Sequence, residues 1–399
     1  MKSSLLRLVI AGICLAIVIA MLAGAVYALT RAGIDAEVSA NLSLPDALRT
    51  TDAGFKSVTA PRQFAFPEDH GPHSDYALEW WYFTGNLDTH DNRHFGYELT
   101  FFRVGITSDE FDRTSDWAAR QMYTAHFALT DVQDEDFYAF ERYSRDALRL
   151  AGAVSSPTTP FRVWLEDWSV AATGDDTLPM RLYAANTGVE IDLTLRDGKG
   201  VALNGEDGFS RKGFLPGEAS YYYSLTRLPT DGTITLNGQT FSVSGLSWLD
   251  REWSSAQLSS EHEGWDWFSM QLSDGRDIMY GVLRPHDANG RPLHLGTVVE
   301  ADGNYTNIDG KHIRLDVLDW WESPRGGTYP SRWRFRMSDD GDDSDKQGDV
   351  LDIEITPYIS DQELDTIVRY WEGAVRIEGT AAGEPIIGSG YVELTGYAD

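Results

Sequence analysis

The 399-residue chain has one cysteine, Cys14, and it lies inside an apolar run near the N-terminus, where it reads as a small membrane-buried side chain. Everything after that run therefore lacks thiol chemistry, disulfides and cysteine-based metal sites. Positive charge is scarce as well. Lys and Arg total 33, only six of them Lys, against 62 Asp and Glu, for a net charge of −29. Binding to a phosphate backbone needs cations that displace counterions, so nucleic acid is excluded as a partner, and anionic lipid surfaces repel the body too. The familiar catalytic signatures are missing: no Gly-x-Ser-x-Gly elbow, no His-Glu-x-x-His, no Walker loop and no dinucleotide fingerprint at a strand-to-helix junction. Hydrolysis by a serine triad has no support here. Helical periodicity is also absent from the body, except around 359–369.

Aromatic residues and glycine are abundant instead: 13 Trp, 18 Tyr, 17 Phe and 37 Gly. Aromatic rings pack well on pleated surfaces, and glycine supplies the positive φ of tight turns, so an all-β protein is expected. Asp-Gly recurs at 197–198, 231–232, 274–275, 302–303 and 309–310, and Asn-Gly at 237–238, between alternating apolar runs. This spacing predicts a meander of antiparallel strands. Strands are expected at 79–87, 94–104, 121–131, 161–170, 180–186, 221–228, 232–237, 240–246, 265–273, 277–284, 311–317, 331–337, 350–356, 371–379 and 387–396. The count suits two antiparallel β-barrel domains, 63–246 and 247–399, with a ligand inside a barrel or in the cleft between them.

Ahead of the body, Lys2 and Arg7 precede 22 uncharged residues, Leu8 to Leu29. That is long enough to cross a hydrocarbon core of about 30 Å, and the preceding cations hold the N-terminus inside. Residues 1–30 read as a signal peptide or membrane anchor, with Ala23-Gly24-Ala25 and Val26-Tyr27-Ala28 as small-residue cleavage patterns. Residues 31–62 read as a linker, and the body as exported to the periplasmic side of the cell envelope. The Asp-rich stretch 339–349 has neither the twelfth-position Glu nor the flanking helices of an EF-hand, and reads as a solvated hairpin loop. His70 and His73 flank Pro72 in a turn; with His126 or His262 as distant partners they make a poor metal set, so no metal and no cofactor are expected.

Three clusters interleave carboxylates with tryptophan: Glu79-Trp80-Trp81-Tyr82, Leu249-Asp250-Arg251-Glu252-Trp253-Ser254 and Gly264-Trp265-Asp266-Trp267-Phe268. Strand alternation points one carboxyl of each set inward, where it either pairs with arginine or takes a raised pKa. A neutral buried carboxylic acid beside electron-rich rings can protonate an alkene, because the rings stabilise the resulting cation. The alternative is a structural plug in which Glu or Asp pairs with Arg251 or Arg103 over a tryptophan floor.

The stretches FPEDHGPHSDYALEWWYFTGNL (66–87), GYELTFFR (96–103), AHFALTD (125–131), SYYYSLTRL (220–228), SWLDREWSS (247–255), GWDWFSMQLSDG (264–275), DQEL (361–364), YWEGAVRIEG (370–379) and GYVELTGY (390–397) resemble, in order, the AttH family. That family is grouped with the carotenoid 1,2-hydratases in a lipocalin-like superfamily. The resemblance implies two lipocalin-like β-barrels, export, an apolar small-molecule or lipid ligand, and association with an ABC transporter permease of the lipoprotein-export type. The hydratases' Asp-His-Asn-Trp segment matches Asp250-Arg251-Glu252-Trp253, with Arg251 in place of the histidine. Of their later Tyr and Asp, only Tyr280 is matched. The candidate acid and proton-transfer residues are thus Asp250, Glu252, Asp266 and Tyr280, and the candidate ligand contacts are Glu79, Trp80, Trp81, Trp253, Trp265 and Trp267. Two functions are open: a carrier of an apolar lipid or isoprenoid, and a hydratase adding water to an isoprenoid double bond.

Overall fold

A computed structural model of the chain describes residues 54–108, 115, 118–255, 261–287, 289–338 and 350–398, together with the backbone of 42–43. The apolar run at 1–30, most of the expected linker and the Asp-rich stretch 339–349 lie outside those residues. Among the described residues all regular structure is strand, apart from three single turns of 3₁₀ helix at Glu68–His70, Ala147–Arg149 and Gly310–His312.

Two sheets hold the strands. The first has thirteen, drawn from Leu78 to Ser254, with Leu78–Thr89, Gln239–Ser254 and Ala219–Leu236 adjacent at its centre. The second has eleven. It is built from His262 to Leu394, with Leu42–Ser43 added in parallel along Val368–Arg369. The strand Gln239–Ser254 thus runs through the expected domain boundary at 246/247, and the chain leaves the first sheet only after Ser254.

The first sheet curls into a nearly closed barrel. Arg142, on the edge strand Asp136–Arg145, lies 4.3 Å from the ring centre of Trp168 and donates to the Ala185 carbonyl at 2.9 Å, on strands near the opposite edge. Alternation then sorts the side chains. Trp81, Phe83 and Leu87 join Leu99, Phe127 and Ile191 in the barrel core. Their neighbours Trp80, Tyr82, Thr84 and Asn86 face the other way. An outward face of an antiparallel barrel is commonly solvated. Here Leu78–Thr89 is buried on both faces, because the second sheet covers the outer one.

Several turns differ from expectation. Asn237 and Gly238, at φ 49° and 84°, make the expected two-residue hairpin between the two longest strands. Asp231-Gly232, by contrast, sits inside Ala219–Leu236. A Cβ on Gly232 would lie 2.2 Å from the Asp192 carbonyl oxygen, so glycine serves close strand approach there instead of a turn. The expected strand 161–170 is broken at Glu166, φ 56°, into Thr159–Leu165 and Trp168–Ala172. The region 359–369 forms a bend and the short strand Glu363–Asp365, not a helix. Strands Asp136–Arg145, Ala151–Ser156 and Val189–Leu195 were not expected.

The sheets are tied to each other by polar contacts. Asn86 Nδ2 donates to the Gly390 carbonyl at 3.0 Å, Thr130 donates to Gln362 Oε1 at 2.7 Å, and Gln271 Nε2 reaches the carbonyls of Thr226 and Ser247 at 2.7 and 3.1 Å. At Gly96 the approach is closest: a Cβ there would stand 2.3 Å from the Ala374 Cβ.

A candidate active site between the sheets

The covered face of the barrel carries an unbroken cross-strand row: Ser224, Asp250, Tyr82, Thr100, His126 and Glu141 stand directly opposite one another on six neighbouring strand segments. One flanking row runs Tyr222, Glu252, Trp80 and Phe102; the other includes Trp248, Thr84 and Glu98. From the second sheet, Trp267, Glu393 and Glu372 stand in line opposite one another, with Ser269, Tyr391 and Ala374 beside them. Five carboxyls, Glu98, Asp250, Glu252, Glu372 and Glu393, are thereby gathered between two aromatic walls. Tyr82 meets Trp267 edge-on at 5.1 Å, and Trp248 meets the same indole at 6.2 Å. Most of these side chains are buried, but Trp80, Glu141, Trp265 and Glu393 keep partial exposure.

Asp250 accepts hydrogen bonds from the Tyr222 hydroxyl, from Ser224 at 2.5 Å and from the Trp248 indole at 2.7 Å. Burial pushes its pKa up to about 6, with the three donors pulling against that and Glu252 adding to it. Trp267 Nε1 donates to the Tyr222 hydroxyl at 3.1 Å, so the second sheet's indole orients the tyrosine that serves Asp250. Glu252 has a cation, Lys212, whose Nζ stands 2.8 Å from Oε1 and 4.9 Å from the Tyr222 ring centre.

The three glutamates form no salt bridge among the described residues. Burial drives Glu393 up to about 8, opposed by a hydrogen bond with Trp265 and reinforced by Asp250 and Glu252. Glu98 and Glu372 are driven well above the usual carboxylate range, first by burial; Thr100 opposes this at Glu98, and at Glu372 the like charges of Glu98 and Glu393 add to it. Their carboxyl oxygens, with the hydroxyls of Tyr82 and Tyr391, lack a well-aligned hydrogen bond among the described residues. Taking an isolated carboxylate out of water costs far more than protonating it, so burial favours the neutral form of these acids.

The ten residues singled out from sequence fall into three places. Asp250, Glu252, Trp80, Trp265 and Trp267 border the inter-sheet site. Glu79, Trp81 and Trp253 lie on the opposite face of the first sheet. There Glu79 is fully buried between Arg103 and Arg251, and the His73 backbone N–H donates to both its carboxyl oxygens at 3.0 Å. His73 stacks on Trp253 at 3.7 Å, and Arg251 covers Trp81 at 3.9 Å. This is the arginine-paired plug over a tryptophan floor, and His73 joins it with Nε2 3.0 Å from Asp69 and Nδ1 3.3 Å from Glu79. Asp266 and Tyr280 lie on the far face of the second sheet: Asp266 binds Arg284 and the Tyr397 hydroxyl, and Tyr280 packs on Phe268 and Phe335 with its hydroxyl 2.9 Å from His294 Nδ1.

Sequence reasoning passed over Glu98, Glu372 and Glu393. Each sits among aromatic and apolar residues in a strand, in Tyr97-Glu98-Leu99, Trp371-Glu372-Gly373 and Val392-Glu393-Leu394. A lone acid in such a stretch was the available signal.

A family model described as AttH-like matches residues 57–397. The chain belongs to the AttH family. A crystal structure of an AttH protein from Nitrosomonas europaea is 32% identical to it, covers 86% of this chain and 100% of its own, and superposes with a TM-score of 0.74. Kievitone hydratase from Nectria haematococca shares the fold at 18% identity, covering 86% of this AttH chain and 96% of its own, with a TM-score of 0.62. No curated protein matches the chain.

Proposed function

We propose that this AttH protein is an acid catalyst of the hydratase type, acting on an apolar unsaturated ligand held between two lipocalin-like barrels. One observation carries the reading: two carboxyls, Glu393 and Asp250, face the space between the sheets beside Trp248 and Trp267, where burial pushes the first up to about 8 and the second to about 6. At pH 7 the first is an acid and the second a base, which is the division of labour that adding water to a double bond requires. Glu393 gives its proton to one alkene carbon as the π bond breaks. The cation left on the adjacent carbon is stabilised by the faces of Trp265 and Trp267 and by the new carboxylate. Water attacks that carbon, and its surplus proton passes to Asp250 or back to Glu393, so the sum is one alkene plus one water. Dry aromatic walls exclude competing solvent and strengthen each charge interaction.

Incubation with linear isoprenoid alkenes in deuterated water tests this. A gain of one D₂O in the product, lost in Glu393→Gln, supports the assignment, and an unaltered ligand recovered from the wild-type protein rejects it.

A second reading, a carrier without chemistry, is favoured by a different observation. Of the three positions matched to the carotenoid hydratases, only Asp250 faces the site, while Trp253 and Tyr280 point to other faces. An apolar lipid co-purifying unchanged with the protein supports that reading. The uncharged run Leu8–Leu29 supports export with membrane attachment or cleavage, and the family resemblance supports work beside an ABC-type export system.

A further inference from the structure

Glu98 and Glu372, the wholly buried members of the glutamate set, exchange protons only through neighbouring groups. A line of side chains, hydrogen-bonded from Glu141 to Tyr370, leads towards Glu372 from the side of the barrel. Glu141, on the edge strand Asp136–Arg145, is about one-tenth exposed. Its Oε1 lies 3.0 Å from His126 Nε2, and its carboxyl also accepts from the Ile367 N–H at 3.1 Å. The other imidazole nitrogen, Nδ1, lies 2.7 Å from the Tyr370 hydroxyl. Tyr370, buried, shares one face of the strand Val368–Ala381 with Glu372, two residues further on. Glu372 in turn stands directly opposite Glu393. The line thus crosses from one sheet to the other, and both ring nitrogens of a buried histidine are used in it. His126 joins an outward carboxyl to an inward phenol.

We propose that Glu141, His126 and Tyr370 form a proton relay that connects solvent to Glu372 and, through it, to the glutamate set. The inference rests on the acid-catalyst reading for its purpose, though not for its test. In one passage the Tyr370 O–H proton moves to the Glu372 carboxylate, the His126 Nδ1 proton replaces it on the phenol oxygen, and His126 Nε2 takes a proton from the Glu141 side. One proton enters from solvent and one arrives at Glu372, with no change of oxidation state. His126 and Tyr370 are positioning residues in this scheme, since they act through Glu372 and do not touch ligand.

The test uses ligand-free protein and so stands apart from any turnover assay. The protonated-carboxyl infrared band of Glu372, identified by its loss in Glu372→Gln, shifts when the protein is moved into D₂O, and the rate of that shift reports proton exchange. Tyr370→Phe and His126→Gln should each slow the shift by about a hundredfold or more, the lower end of what a positioned proton-transfer group contributes. Loosened packing would instead speed exchange, so the direction separates a relay from a structural role. Glu141→Gln, at the rim, is the mildest variant and should slow exchange with the fold intact. Unchanged or faster exchange in Tyr370→Phe and His126→Gln overturns the relay; slowing in Tyr370→Phe alone overturns the path through His126.

Discussion

Glu372 and Glu393 stand directly opposite each other on the strands Val368–Ala381 and Glu384–Leu394, with both carboxyls turned into the space between the sheets. Opposed residues of an antiparallel pair share a face at close range, where two like charges destabilise the sheet. Burial compounds this and favours the neutral form of the pair, with Glu98 as a third member.

Stability should therefore fall as pH rises. Glu393 has a folded pKa of about 8, above the usual 4.5. The unfolded chain releases this proton first, so the stabilisation is complete below pH 4.5 and disappears as pH climbs to about 8. At about 1.4 kcal/mol per unit, the window carries on the order of 3–5 kcal/mol. Thermal unfolding between pH 5 and 8.5 measures it, and Glu393→Gln should flatten the slope.

Asp250 and Asp266 make a matched pair for separating site from scaffold. Both are buried on strands beside tryptophan, but only Asp250 faces the inter-sheet site. Asp250→Asn should cut turnover by about 10²–10⁴-fold. It also turns an amide N–H toward the donors Tyr222, Ser224 and Trp248, costing about 1–3 kcal/mol. Asp266→Asn removes the partner of Arg284 and should lower stability while leaving turnover of the remaining folded protein intact. Equal losses of turnover in the two variants would contradict the placement of the site.

Glu79 belongs to stability and not to chemistry. Burial raises its pKa, but Arg103 and Arg251 outweigh that and hold the carboxyl well below its usual range. Glu79→Gln strands two buried guanidinium groups and should cost about 3–5 kcal/mol in urea unfolding. Because the folded pKa is depressed, this contribution is present above the ordinary Glu range and fades as the solution is acidified through the folded value.

Gly96 sets the spacing of the sheets. With a Cβ placed 2.3 Å from the Ala374 Cβ, Gly96→Ala must displace one strand from the other. The expected outcome is a stability loss of about 1–3 kcal/mol, typical of overpacking. Ala374→Gly in the same chain should return part of it, and a double-mutant cycle reads the coupling directly.

Much of this was legible in the amino-acid order alone. Aromatic and glycine content, with Asn237-Gly238 and the spaced Asp-Gly pairs, identifies an all-β chain, and the nine ordered motifs identify AttH. Asp250, Glu252, Trp80, Trp265 and Trp267 stand out as acids and indoles at alternating positions. What alternation conveys is which residues share a face: Trp80 goes with Tyr82, and Glu79 with Trp81. It is silent on what lies against each face. Only when the second sheet covers the outer face of the barrel do Glu98, Glu372 and Glu393 lose their water, and Glu79 finds arginines on its own side while they find one another. Desolvation and charge pairing act over a few ångströms between segments hundreds of residues apart, so the tertiary structure alone decides which carboxyl is a plug and which is an acid.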